Sequence, residues 1–256
     1  MLAQTVAFHA RTRPQVEALI FEDQRLTWAA LADRVAATAA GLAKSGGGPD
    51  TIVAMVMKNS AAFIELIYAI SHLGAVPLPV NYRLSADEVA YITGHAGAAL
   101  VVADEEFTAL AQATQLPIVL LGPAEQRDST RAFPDDAALV PMEHRQGSDL
   151  YRIMYTSGTT DRPKGVTHTY DNFFNKSFAH IVTLGLTAAD RLCIVGPLYH
   201  VGGCDLPGLT VHMYGGTIVL LRDYDPATVA ATIEAEAISG IWLAPVMTNG
   251  LLQLEG

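Results

Sequence analysis

Short apolar runs alternate with amphipathic stretches along most of the chain, and this alternation predicts strands separated by helices. Residues 52–57 form a continuous apolar run of strand length, and residues 61–73 follow with helical spacing. Ser60 is a typical N-cap for that helix, and Ser85 with Glu88 forms a capping-box pattern for the next helix. Repeated strand–helix units predict an α/β fold with doubly wound, mostly parallel sheets flanked by helices.

The same pattern extends to both ends of the chain. Residues 75–80 contain two prolines, which suit an edge strand because proline cannot donate a ladder hydrogen bond. Residues 17–27 predict a β-hairpin. Residues 122–147 do not continue the strand–helix alternation, and they are interpreted as an irregular segment at the surface, called the excursion below. Further strands are predicted at 99–103, 118–121, 151–155, 191–195, 217–221 and 238–243, and further helices near 105–114, from about 171, at 206–214 and at 226–237.

Composition narrows the class of protein. Half of the 256 residues are apolar and 16% are charged, which is typical of a globular chain. The net charge of -10 disfavours binding to nucleic acid or to an anionic membrane, because polyanions are repelled. Cys193 and Cys204 have neither disulfide-framework nor zinc-site spacing. No signal-peptide pattern and no apolar run of membrane-spanning length occurs, so we expect a cytoplasmic location.

One segment, Tyr155–Val166, has the composition of a phosphate-binding loop. It holds two glycines, three threonines, a serine and a lysine, so that backbone N–H groups and hydroxyls can converge on one anion. Lys164 would supply the positive charge. A Walker A loop is excluded, because the positions it requires after Gly158 hold Pro163 and Gly165. From composition alone, this segment could also be a solvent-exposed turn that binds no ligand.

This segment resembles the signature loop T/S-S-G-T-T-G-x-P-K-G-V of the adenylate-forming superfamily, which comprises acyl- and aryl-CoA synthetases, peptide-synthetase adenylation domains and luciferases. Asp161 stands where the family has glycine, and its carboxylate would repel phosphates unless it pairs with Arg162 or points to solvent. Residues 73–84 resemble the G-A-x-x-x-P-x-N-x-R-L stretch of acyl-CoA synthetases, which favours CoA ligases. Four other stretches of the chain also resemble segments of this family: residues 26–33, 197–203, 215–220 and 224–226.

The resemblance implies an AMP-forming ligase. A carboxylic acid would attack Mg-ATP to give an acyl-adenylate, and CoA would then take the acyl group, as in fatty acid metabolism. Lys164 and His200 are the implied catalytic residues, and Trp242 is interpreted as core packing. The implied phosphate ligands are Thr156, Ser157, Gly158, Thr159, Thr160 and Lys164, with Thr160 also near Mg²⁺; the implied substrate pocket is lined by His200, Gly202 and Gly203.

The resemblance also implies a domain organisation. A first lobe would span residues 31–189, and a partial second lobe would combine residues 1–30 with 190–256, with the family's C-terminal domain absent. Because later family motifs such as Y-G-x-T-E are missing, we expect the isolated chain to lack adenylation turnover. An unfinished second sheet would favour a homodimer. Two alternatives stay open: an adenylating enzyme that delivers to a carrier protein, and a noncatalytic nucleotide-binding module.

Overall fold

The computed structural model describes residues 2–134, 137–156, 162–206 and 208–254. The strands are β1 (Glu17–Phe21), β2 (Gln24–Thr27), β3 (Ile52–Val56), β4 (Val76–Pro79), β5 (Ala98–Asp104), β6 (Ile118–Leu121), β7 (Leu150–Thr156), β8 (Lys164–Thr169), β9 (Arg191–Ile194), β10 (Thr217–Leu220) and β11 (Gly240–Ile241). The helices are α1 (Leu2–Thr12), α2 (Trp28–Lys44), α3 (Ala61–His72), α4 (Ala86–Ala96), α5 (Thr108–Ala113), α6 (Pro123–Arg127), α7 (Tyr170–Leu184), α8 (Val201–Cys204), α9 (Thr210–Met213), α10 (Pro226–Ala235) and α11 (Pro245–Leu252).

A four-stranded parallel sheet has the order β4–β3–β5–β6. Strand β3 is buried on both faces, because Val53 and Met55 belong to one apolar cluster and Ala54 and Val56 to another. Continuous apolar runs are typical of such doubly covered parallel strands. The proline-containing strand β4 lies at the edge, which confirms the prediction from its sequence.

A five-stranded sheet has the order β11–β9–β10–β1–β2. The predicted N-terminal hairpin forms its β1–β2 edge, and β1 pairs in parallel with β10, about 200 residues further along the chain, through Ile20 and Val219. Strands β9, β10 and β11 are parallel to one another. The mixed α/β class with mostly parallel sheets is confirmed, whereas the division into residues 31–189 and 1–30 plus 190–256 stays a prediction.

Helix α3 lies at the centre of the larger apolar cluster, which contains residues of both sheets. All twelve of its residues are buried, as expected for a helix that is apolar all round. Its one carboxylate, Glu65, accepts hydrogen bonds from Arg34 at 3.0 Å and from the Ser129 N–H at 2.8 Å. The predicted N-cap Ser60 accepts from the Phe63 N–H, and the helix stops just before Gly74, which has a φ of +66°.

Several sequence predictions were incomplete or wrong. Helix α1 was not predicted, although Leu2 and Val6 bury one face of it. The excursion at 122–147 is not wholly superficial, because Ser129 is buried beneath Glu65 and Phe133 packs on Gly41. None of the helices within the described ranges has the length and apolar character that a membrane span requires.

The predicted helix at 206–214 is confirmed only in part, over Thr210–Met213. Helix α8 ends earlier, at Cys204, and α9 begins at Thr210. Between them the chain turns so tightly that a Cβ on Gly208 would lie 1.7 Å from the carbonyl oxygen of Cys204. The Leu209 N–H donates to that same carbonyl oxygen at 2.7 Å. The helix is therefore interrupted by a turn that requires glycine.

Candidate active site

Three segments that are far apart in sequence converge on one cavity of about 290 Å³. The segment after β4 contributes Asn81 and Leu84, and the hairpin of β7 and β8 contributes Thr156. The loop after β9 contributes Tyr199 and His200. The remaining lining residues are Pro79, Val80, Glu88, Ile92, Met154, Tyr155, Pro163 and Val201. The cavity lies beyond the carboxyl ends of β4 and β9, which is the usual ligand site of open α/β sheets.

The side chain of Asn59 joins the carboxyl ends of the two sheets. It follows β3, and its Nδ2 donates to the carbonyl oxygens of Gly196 and Leu221, each at 3.0 Å. Its Oδ1 accepts from the Leu198 N–H at 2.8 Å. Asn59 is 3% exposed, so these bonds form away from bulk water. They fix the loop that carries His200 relative to the four-stranded sheet.

His200 lines the cavity as the predicted pocket residue, with an exposed side chain. It is the N-cap of α8, and its Nδ1 accepts a hydrogen bond from the Gly202 N–H at 3.1 Å. Because Nδ1 is an acceptor, the proton of the neutral imidazole is on Nε2. His200 therefore offers one ring N–H donor that a ligand oxygen can use.

Aromatic side chains support the cavity wall beside His200. The ring of Tyr199 meets Tyr82 edge-on at 5.3 Å between centroids, and Tyr82 stacks on Phe107 at 4.8 Å. Burial raises the pKa of Tyr199, so its hydroxyl remains protonated at neutral pH. This wall was not assigned to the site from the sequence. The signal was present, because Tyr82 and Tyr199 lie within two of the segments that resemble the family, residues 73–84 and 197–203.

The predicted phosphate-binding segment connects the two strands of an antiparallel hairpin rather than leading from a parallel strand into a helix. In this hairpin β7 pairs with β8, and Thr156 lies opposite Lys164. Strand β8 was missed because the sequence between the loop and helix α7 is short and polar. Of the predicted phosphate ligands, Thr156 lines the cavity and Lys164 is exposed; Ser157, Gly158, Thr159 and Thr160 lie outside the described residues, as does Asp161.

Helix α4 contacts both ends of that loop. The hydroxyl of Tyr155 lies 2.6 Å from Nδ1 of His95, and the guanidinium of Arg162 lies 5.3 Å from the ring centroid of Tyr91. The Tyr155 ring also covers Gly165 on the paired strand, where a Cβ would approach the ring to 3.0 Å. Hydrogen-bond donors and two exposed cations, Arg162 and Lys164, flank the loop, and this set of groups fits an anionic phosphate ligand.

Gly202 and Gly203 do not line the cavity that contains His200. A Cβ on Gly202 would lie 2.4 Å from Cη2 of Trp242, and one on Gly203 would lie 2.5 Å from the carbonyl oxygens of Gly196 and Pro197. Both glycines therefore permit close packing, one against an indole ring and one against backbone. Trp242 fills the space that Gly202 leaves open.

The described part of the cavity wall carries little formal charge. Glu88 is the only lining residue in the described part of the chain that carries a formal charge at neutral pH. Hydrogen bonds from the backbone and hydroxyl of Ser85 lower its pKa, so it stays ionised. No group of three or more His, Cys, Asp or Glu side chains within the described ranges could hold a metal ion.

A family model, curated relatives and solved structures all match most of this chain. A family model described as AMP-binding enzyme matches residues 6–256. Feruloyl-CoA synthase from Amycolatopsis sp is 30% identical over 242 residues, which are 94% of this chain and 48% of that protein. o-Succinylbenzoate CoA synthetase from Bacillus subtilis, solved with its acyl-adenylate intermediate, aligns with a TM-score of 0.88 at 26% identity, covering 98% of this chain and 64% of that chain.

A second structure of that synthetase, in complex with ATP and magnesium ion, aligns with a TM-score of 0.85 at 26% identity, covering 98% of this chain and 66% of that chain. The fold is that of the N-terminal part of adenylate-forming enzymes, as the sequence predicted. The chain belongs to the AMP-binding enzyme family. It spans about half the length of the curated relatives it matches.

Proposed function

We propose that the protein is an AMP-forming carboxylate–CoA ligase and that acid and Mg-ATP meet in the cavity lined by Asn81, Thr156 and His200. The convergence of three separate family segments on one cavity is the observation that carries the proposal. The matched feruloyl-CoA synthase and o-succinylbenzoate CoA synthetase are CoA ligases, which favours CoA over a carrier protein as acceptor. A cytoplasmic location would give access to both ATP and CoA.

In the proposed reaction a carboxylate oxygen attacks the α-phosphorus of ATP, the bond to the bridging oxygen breaks, and pyrophosphate leaves. The CoA thiol then attacks the acyl carbon, loses its proton and displaces AMP. Catalysis of the first step requires positioning and neutralisation of the developing charge on the leaving group. Lys164 and the hydroxyl of Thr156 suit the phosphate side, and Ser157, Gly158, Thr159 and Thr160 are proposed to complete it, with Thr160 near Mg²⁺.

His200 suits the acid side of the cavity. Its Nε2–H can donate to one carboxylate oxygen and so direct the other oxygen toward phosphorus. The apolar side chains of Leu84, Ile92 and Val201 suit a carbon tail. Because Glu88 remains ionised, the part of the acid nearest to α4 should be uncharged. Aryl acids and fatty acids both fit this description.

The test is to incubate the protein that carries this chain with Mg-ATP, CoA and a panel of aryl and fatty acids, and to measure AMP and acyl-CoA. The proposal requires both products, in equal amounts and only with a suitable acid. Acid-dependent pyrophosphate release without thioester formation would favour a carrier-protein acceptor. Binding of Mg-ATP with no acid-dependent product would favour a noncatalytic module.

A further inference from the structure

A buried ion pair links the β7–β8 hairpin to helix α8. Arg152 on β7 is fully buried, and Asp205, the C-cap of α8, is 4% exposed. The guanidinium makes two hydrogen bonds to the carboxylate, one from Nη1 to Oδ1 at 3.1 Å and one from Nη2 to Oδ2. Two parallel bonds of this kind fix orientation as well as distance.

Neighbouring side chains support the pair from the other elements around it. His168, which lies opposite Arg152 on β8, accepts from Nη2 at its Nδ1 across 3.2 Å. Burial and the adjacent guanidinium lower the pKa of His168, which keeps Nδ1 free to accept. Lys176 of α7 donates to the backbone carbonyl of Asp205 at 2.7 Å and to the hydroxyl of Thr210 at 2.9 Å.

The position of this pair relative to the cavity gives it a function. Arg152 precedes Thr156 by four residues on one strand, and Asp205 follows His200 by five residues across one short helix. Thr156 and His200 line the same cavity from these two elements. Among the described strands β7 pairs only with β8, so no backbone ladder joins it to either larger sheet, although it packs beside β4. Its placement relative to α8 therefore depends on contacts such as this one.

We infer that Arg152 and Asp205 are positioning residues, which hold the phosphate side of the cavity, at Thr156, in register with the carboxylate side, at His200. The inference rests on the proposed function for its catalytic consequence. Buried ion pairs often add little net stability, because desolvation offsets their attraction, and specifying one arrangement is a use to which some are put. Reacting groups displaced by about 1 Å can lose about 100-fold in rate.

The decisive variant replaces both partners with apolar residues, Arg152→Met together with Asp205→Leu. Such replacements usually preserve stability, since no buried charge is left unpaired. We expect this double variant to fold with little change in Tm, to lose about 10- to 100-fold in kcat for carboxylate-dependent ATP–pyrophosphate exchange, and to keep the KM for acid and for ATP within about threefold. A stable double variant with the kcat of the original protein would overturn the inference.

A matched control uses the ion pair of the half-buried Arg34 on α2 with the buried Glu65 on α3, neither of which lines the cavity. Arg34→Met with Glu65→Gln should change Tm without changing kcat below the unfolding transition. An equal loss of kcat in this control would show that any buried pair matters, and it would overturn the positioning role. If the apolar double variant does not fold, Arg152→Gln with Asp205→Asn removes both charges and keeps polar side chains, and the same loss of kcat is expected from it.

A second readout does not depend on activity. Amide hydrogen exchange should rise together in β7, β8 and α8 of the Arg152→Met/Asp205→Leu variant, while exchange in β3 and β5 stays unchanged. This separates the two claims. If the protein catalyses no ATP–pyrophosphate exchange but amide hydrogen exchange rises in both the hairpin and α8 of the variant, the proposed function fails and the structural coupling stands. Unchanged protection in both elements would contradict the coupling.

Discussion

The side-chain carbonyl oxygen of Asn59 accepts a hydrogen bond from the backbone N–H of Leu198 at 2.8 Å. This single contact joins the end of β3 in the four-stranded sheet to the loop after β9 in the five-stranded sheet. The amide nitrogen of the same side chain donates to the carbonyl oxygens of Gly196 and Leu221. One buried amide therefore determines where the loop that carries His200 lies.

Replacing Asn59 should weaken both the fold and the site. Asn59→Ala leaves one N–H and two carbonyl groups without these partners in a buried region, so the free energy of unfolding should fall by about 3 kcal/mol. Urea unfolding followed by tryptophan fluorescence measures this. Asn59→Asp is the matched variant: it keeps the acceptor for Leu198 but loses both donors. A loss below about 0.5 kcal/mol for Asn59→Ala would contradict the role described.

Replacing the two adjacent glycines of α8 with alanine should destabilise the fold through different contacts. A Cβ on Gly202 meets the end of the Trp242 ring, whereas a Cβ on Gly203 meets backbone carbonyl oxygens. Trp242→Phe should therefore relieve Gly202→Ala, with a coupling free energy of at least about 1 kcal/mol, and should leave the effect of Gly203→Ala unchanged. Thermal unfolding of the two double-mutant cycles measures both couplings. Equal relief of both glycine substitutions would contradict this assignment.

A buried histidine should make the fold sensitive to acid. His212 donates from Nε2 to the Ala18 carbonyl oxygen at 2.8 Å and accepts at Nδ1 from the Tyr68 hydroxyl at 2.7 Å. Burial lowers its pKa to about 3. The unfolded chain therefore binds a proton at this residue that the folded chain does not bind, in the window between pH 6.5 and about pH 3. Stability is complete above that window and falls as the pH is lowered through it.

From pH 7.5 to pH 5 this residue should remove about 2 kcal/mol from the free energy of unfolding. The measurement is urea unfolding at both pH values for the original protein and for His212→Gln, which can still donate to Ala18 through its amide. The variant should lose about 2 kcal/mol less than the original protein over this interval. The same pH dependence in both proteins would refute the assignment to His212.

The sequence predicted most of the fold because the signals were local and strong. The apolar run of β3, the N-cap Ser60 and the capping box of Ser85 and Glu88 all form as expected. Helix α1 was missed although its buried positions Leu2, Val6 and His9 have helical spacing, because one of them is a histidine and the apolar pattern in the sequence is therefore weak. Strand β8 was missed because residues 164–169 are mostly exposed and polar, and only pairing with β7 makes them a strand.

The candidate site was partly predictable. Family motifs identified His200 and Thr156 as candidates, and the structure brings both to one cavity. The motifs could not show that Gly202 packs against Trp242, because that contact joins residues 40 positions apart. The pairing of Arg152 with Asp205 could not be predicted from the sequence either, because neither residue lies at a periodic or motif position that reveals its partner. Long-range polar contacts of this kind appear only when the fold is known.

The measurement that tests the central claim most directly is carboxylate-dependent ATP–pyrophosphate exchange in the protein that carries this chain and in two cavity variants of it. His200→Ala removes the proposed carboxylate donor, and Leu84→Trp fills the cavity. If acid and ATP meet there, the original protein exchanges only with acid present, His200→Ala lowers kcat/KM for the acid by about 10- to 100-fold, and Leu84→Trp raises the KM for the acid while leaving the KM for ATP within about threefold. Unchanged acid kinetics in both variants would contradict the account.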